Sequence, residues 1–290
     1  MRLVTYLRDG AQRLGALVVR DGADVVVDLE LAAGLPSDML AFLAGGEANM
    51  EQARQALADP PAEALVSLGA VRLAAPVPRP GKIICIGLNY RDHAAESGAE
   101  VPAYPTVFAK YASCIVGPGE PIVIPRVTGE VDYEAELAVV IGRRARDVAE
   151  ADALGYVAGY APFNDVSARD YQMRTSQWTI GKTFDTFGPL GPALVTADEV
   201  GDPHTLDIEL SIGGEVLQRS NTRHLIFSIP QLIAYLSAVM TLEPGDLIAT
   251  GTPAGVGAAR RPQRWLQPGE TVRVAIGRLG ALENPVSASA

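Results

Sequence analysis

Cysteine is scarce. The 290 residues hold two, Cys85 in "KIICIG" and Cys114 in "ASCIVG", and neither belongs to a C-x-x-C pair. Both sit among apolar residues, so buried free thiols in a reducing compartment are expected. Positive charge is also in short supply. Lysine and arginine number 24 against 34 acids, a net charge of −10, which argues against nucleic acid or an anionic membrane as a partner. An acidic protein still binds an anionic substrate where cations line its site. No apolar run approaches the ~20 residues of a membrane span. The opening "MRLVTYLRDG" is interrupted by Arg8 and Asp9 and lacks the h-region of a secretory signal. These absences predict a cytoplasmic protein. Internal repeats and low-complexity tracts are absent too. What remains is ordinary: 48% hydrophobic and 20% charged residues, enough for a sizeable core.

The pattern predicts a small module over residues 1–75, a proline-rich linker over 76–82 and a larger domain over 83–290. In the first, "RLVTYLRDG" and "RLGALVVRDG" read as strands closed by Asp9-Gly10 and Asp21-Gly22, followed by "VVVDL". Ser37 and Asp38 can cap a short helix that ends at Gly45-Gly46, and "MEQARQALAD" suits a second, stopped by Pro60-Pro61. After the linker the texture is mainly β: "KIICIG", "EPIVIP", "YEAELAVVIG", "VAGYAPF", "LDIELSI", "DLIATG" and "TVRVAIG". Gly213-Gly214 marks a tight hairpin. One helix is well signalled by Ser228 and Gln231 as a capping box, with Pro230 in the first turn. Strands do not alternate regularly with helices, which disfavours a doubly wound sheet and favours an α+β, mainly β fold.

The stretch "VDYEAELAVV" places Asp132, Glu134 and Glu136 at alternate positions. On a strand they share one face, where like charges repel. Three arrangements relieve this: a solvated edge, pairing with arginines such as Arg143 or Arg144, or a divalent cation. A further acid, Asp165, follows the apolar run "YVAGYAPFN" and precedes a helix expected from Ser167. It is either a helix cap or a fourth acid near the first three. If Asp165 meets Glu134 and Glu136, the donor set is all oxygen. Such a set favours Mg²⁺, Mn²⁺ or Ca²⁺ over Zn²⁺ and leaves positions open for a chelating 2-oxo acid.

A second constellation lies in "GLNYRDHAAESG". Asn89 is expected to cap a helix with Asp92 in its first turn. His93 and Glu96 then stand at i and i+3 on one face. A carboxylate beside an imidazole fixes its tautomer and makes it a competent base; an exposed ion pair is the plainer reading. His204 reads as surface, and His224 as core or near the site. In "GTPAGVG", Gly251, Gly255 and Gly257 do not spell G-x-G-x-x-G, and no G-K-[ST] follows. A glycine-permitted loop beside the site is expected rather than a phosphate cradle.

Taken in order, "GLNYRDHAAES", "DYEAEL", "NDVSARDYQ", "WTIGKTFDTFGPLGP", "SNT" and "TGTPAGVG" resemble the fumarylacetoacetate hydrolase family. The resemblance implies a mixed β-sandwich roll for the larger domain, behind a small α/β N-terminal domain. It implies Glu134, Glu136 and Asp165 as ligands of Mg²⁺ or Mn²⁺, and His93 and Glu96 as a catalytic dyad on a lid. It makes Lys182 the support of a substrate oxyanion. Arg169, Gln172, Lys110 and Thr252 are implied as substrate contacts, and Asp132 as a structural acceptor. A homodimer is also implied. The activity implied is metal-dependent hydrolysis of a C–C bond in a 2,4-dioxo acid such as an acylpyruvate, with His93 as general base. The alternative is a decarboxylase or isomerase of a 2-oxo or 2-hydroxymuconate-type diacid on the same site.

Overall fold

The structure, a computed structural model, describes residues 1–98 and 100–289. It is mainly β, with two large sheets and few helices. The larger sheet runs in the order Leu65–Ser67, Ala23–Asp28, Ala11–Arg20, Arg2–Arg8, Leu194–Thr196, Val157–Asn164, Ala135–Ile141, Leu247–Ala249, Ile83–Gly87, Thr106–Lys110. The second contains Glu215–Asn221, Asp207–Ile212, Thr271–Ile276, Gly280–Ala288 and Ile122–Ile124. The two sheets pack where Ala135–Ile141 meets Asp207–Ile212 and where Val157–Asn164 meets Thr271–Ile276. Ala135–Ile141 is buried at every position. That accounts for its unbroken apolar half, "LAVVI", where an exposed face would alternate.

The expected local signals operate. Asp9-Gly10 and Asp21-Gly22 turn with positive φ at both residues, as do Gly213 and Gly214. The Asp38 carboxylate accepts from the N–H of Ala41 at the start of helix Met39–Ala44. Ser228 and Gln231 form the capping box of helix Ile229–Val239. Both cysteines are buried and free.

The N-terminal strands continue the large sheet. Arg2 pairs with Val195 and Leu3 with Leu194 across antiparallel strands. The proline-rich stretch has no helix or strand, as expected, but it is no free spacer. Ala75, Pro76, Val77 and Pro80 are buried, and the Pro76 carbonyl accepts from the Thr5 hydroxyl at 2.8 Å.

Candidate active site

The acid-bearing stretch is not one strand. Val131–Asp132 pairs with Ser167–Ala168, and Ala135–Ile141 pairs with Val157–Asn164, with Tyr133 and Glu134 between. Ala135 lies opposite Asn164, so Asp165 falls beside Glu134. The N–H of Asp165 donates to the Glu134 carbonyl at 2.9 Å. The N–H of Glu134 donates to Asn164 Oδ1 at 3.0 Å. This register brings carboxylate oxygens of Glu134, Glu136 and Asp165 within 4.8 Å of one another. Their exposures of 5%, 2% and 0% rule out a solvated edge. The helix expected from Ser167 starts instead at Arg169, because Ser167 and Ala168 are engaged as a strand.

Arginine pairing occurs, though with a different partner from the two expected. Arg143 lies over the Tyr156 ring and Arg144 pairs with Glu243. Arg169 is the arginine that enters, with Nη2 2.8 Å from Asp132 Oδ2 and 2.7 Å from Glu134 Oε1. Asp132 also accepts the N–H groups of Tyr133, Gly257 and Ala258, the structural role expected of it. Lys182 Nζ lies 2.7 Å from Glu134 Oε2 and 2.9 Å from Asp165 Oδ2. Lys110 Nζ donates to Asp165 Oδ1 at 2.6 Å and to the Val166 carbonyl at 3.0 Å.

These contacts divide the acids. Burial alone would raise Glu134, but Lys182 and Arg169 outweigh it and push the carboxyl down to about 2. Glu136 goes the other way: burial first, then the charges of Asp165 and Glu134, hold it well above the usual range. Burial would lower Lys182, yet Asp165 and Glu134 keep its ammonium above the ordinary lysine value. Glu136 accepts the Gly251 N–H at 2.9 Å, and among the described residues no lysine or arginine forms an ion pair with it. A buried carboxylate beside two others and without a cation of its own fits a divalent ion. The all-oxygen donors fit a hard one, such as Mg²⁺ or Mn²⁺.

A cavity of 490 Å³ opens over these acids, lined by His93, Glu134, Glu136, Arg169, Lys182 and Thr252 among others. His93 and Glu96 sit on helix Arg91–Ser97, closed by Gly98 at a positive φ of 65°. His93 Nδ1 is 3.4 Å from Glu96 Oε2. Asn89 does not cap this helix. Its buried amide instead bonds Thr250 O, Phe227 O and Phe227 N, tying distant segments together. His204 is half-buried beside Asp202 and takes the Ile229 N–H, while His224 is exposed.

Of the expected substrate contacts, Thr252 and Gln172 line the cavity. Arg169 does too, but its nitrogens are engaged by Asp132, Glu134 and Gln172. Lys110 is not among the residues that line this cavity. Its ammonium is fully buried and serves as counter-ion to Asp165. A residue without any sequence signal completes the arrangement. Gln218, buried on the second sheet, accepts the Ala135 N–H between the two ligand-type glutamates and donates to Thr252 Oγ1 and the Pro253 carbonyl.

Oxaloacetate tautomerase fahd2, mitochondrial, from Xenopus laevis is 46% identical over 290 residues, 99% of this chain and 90% of that one. Among solved structures, maleylpyruvate hydrolase from Sphingobium sp. SYK-6, in complex with manganese(II) ion and pyruvate, superposes with a TM-score of 0.82 at 35% identity, covering 100% of both chains. A 5-carboxymethyl-2-hydroxymuconate delta-isomerase from Mycobacterium smegmatis gives 0.80 at 34%, again over 100% of both. The Xenopus protein and similar ones from rat and human are named mitochondrial, which overturns the cytoplasmic expectation. Free buried thiols do not distinguish one reducing compartment from another. The family model for the fumarylacetoacetate hydrolase C-terminal region matches residues 82–287, and the chain belongs to that family.

Proposed function

We propose that the protein is a metal-dependent tautomerase of a small 2-oxo diacid, interconverting the keto and enol forms of oxaloacetate or a close analogue. The observation that carries this is the convergence of Glu134, Glu136 and Asp165, the first and last bridged by Lys182, at a cavity that His93 also lines. The names of near-full-length relatives favour tautomerisation over cleavage.

The carbon between the keto and carboxylate groups must lose a proton and the keto oxygen must gain one. His93, with its own proton on the Nδ1 that faces Glu96, takes the carbon proton at Nε2. The electron pair moves to the 2-oxo oxygen. Lys182, kept protonated by Glu134 and Asp165, offers a hydrogen bond where that negative charge develops. His93 returns the proton to the oxygen, so nothing is added or lost overall. A divalent cation held by Glu134, Glu136 and Asp165, Mg²⁺ or Mn²⁺, would supply Lewis-acid polarisation of the substrate's keto and carboxylate oxygens. Arg169, Gln172 and Thr252 also line the cavity.

A second reading, C–C hydrolysis of an acylpyruvate, is favoured by the likeness to maleylpyruvate hydrolase and by the His93–Glu96 pair, which could activate water instead. A homodimer belongs to this proposal and is read by light scattering. The test follows the ultraviolet absorbance of enol oxaloacetate. Decay faster than the buffer blank, abolished by EDTA, restored by Mg²⁺ or Mn²⁺ and leaving the mass unchanged, supports the tautomerase. A blank rate with oxaloacetate, together with addition of water to an acylpyruvate, replaces it with the hydrolase.

A further inference from the structure

The glycine loop after strand Leu247–Ala249 donates three glycine N–H groups, each to a carboxylate with a different role. Gly251 N–H donates to Glu136 at 2.9 Å. Gly255 N–H is shared between both oxygens of Glu96 at 3.0 Å each. Gly257 N–H donates to Asp132 Oδ1 at 2.7 Å, with Ala258 N–H on the other oxygen at 3.0 Å. One short segment therefore touches the oxygen triad, the histidine's partner and the arginine's partner.

The chemistry of the Glu96 contact is directional. Glu96 lies 159 residues from Gly255 in sequence, on the same short helix as His93. A carboxylate bound bidentately to one N–H is oriented, and the oxygen facing His93 Nδ1 is set with it. Position 255 admits no side chain. Its φ is 106°, and a Cβ built there would overlap the Leu217 carbonyl oxygen. The far side of the residue is anchored as well: its carbonyl accepts from Tyr133 Oη and Arg260 Nε, each at 3.2 Å. Tyr133 lies between Asp132 and Glu134, so the acid-bearing stretch and the dyad hold the same glycine.

We propose that Gly255 is the positioning residue of the His93–Glu96 pair, and that the loop 251–257 sets the register between that pair and the oxygen triad. This rests on the acid–base role given to His93 above. The chain has three histidines, so ¹⁵N NMR of the ring nitrogens resolves His93 in the substrate-free protein without any assay of turnover. In the natural sequence His93 should show one tautomer, protonated on Nδ1. In Gly255→Ala the signal should move toward the mixture of a free imidazole, and kcat should fall by about 10²-fold with KM changed less than about twofold. If Gly255→Ala does not fold, a backbone amide-to-ester replacement at residue 255 exchanges the N–H for an oxygen and adds no side chain, and the same shifts are expected. A single Nδ1-protonated tautomer retained in whichever variant folds overturns the inference. If the natural protein turns over no 2-oxo acid but His93 responds to the substitution, the positioning stands and the proposed function fails.

Discussion

Arg169 reaches one carboxylate oxygen of Asp132 with two nitrogens, Nε and Nη2, each 2.8 Å from Oδ2. Asp132 is fully buried, and its other oxygen is held by the N–H groups of Tyr133 and Gly257. The grip fixes the guanidinium that also borders Glu134. Asp132→Asn keeps an acceptor for the N–H groups and removes the charge. Loss of about 3 kcal/mol of stability is expected, because a largely buried arginine, 14% exposed, is left with a weaker partner. Urea unfolding reads it, and a loss below about 1 kcal/mol would mean the pair is not needed for the fold.

Lys182 is the cation shared by Glu134 and Asp165. Lys182→Met keeps the length and removes the charge. Turnover should fall by about 10²–10³-fold, the scale of one lost oxyanion donor. The two acids would lose their shared cation, so the chelated variant should melt below the chelated natural protein. Added Mn²⁺ should raise the variant's melting temperature more than it raises that of the natural protein. Equal rises in both would separate the lysine from the cation site.

The two glutamates should respond oppositely to pH in chelated protein. The depressed value of Glu134, about 2 against an ordinary 4.5, gives stability that is complete above pH 4.5 and is lost as the pH falls toward 2. The raised value of Glu136 gives a contribution that is complete below its ordinary 4.5 and is lost as the pH rises through its folded-state value. At neutral pH, Glu136→Gln should therefore raise the melting temperature of chelated protein, and Glu134→Gln should lower it. Shifts of the same sign in both variants would contradict the charge division described above.

The parts of the site that local patterns encode were legible in the chain. Alternation of Glu134 with Glu136 and the position of Asp165 at a strand end pointed to shared oxygen donors, and the i, i+3 spacing joined His93 to Glu96. Partner choice over long sequence distances was not legible. Asp132 is paired by Arg169, 37 residues away, rather than by Arg143 or Arg144, which are nearer in sequence. Asn89 looked like a cap because caps are local, yet its amide serves residues 138 and 161 positions on. Lys110 was expected to contact substrate, since no pattern announces that it will pair with Asp165. Gln218 carried no signal because its role exists only once the two sheets are packed.

Glu134, Glu136 and Asp165 are proposed to hold one divalent ion jointly. Titration of Mn²⁺ into chelated protein, followed by the loss of the free-ion signal in electron paramagnetic resonance, tests it most directly. One ion bound per chain, with affinity reduced at least about tenfold in Glu136→Gln, is the result predicted. Unchanged Mn²⁺ affinity in that variant, or no binding to the natural protein, would contradict it.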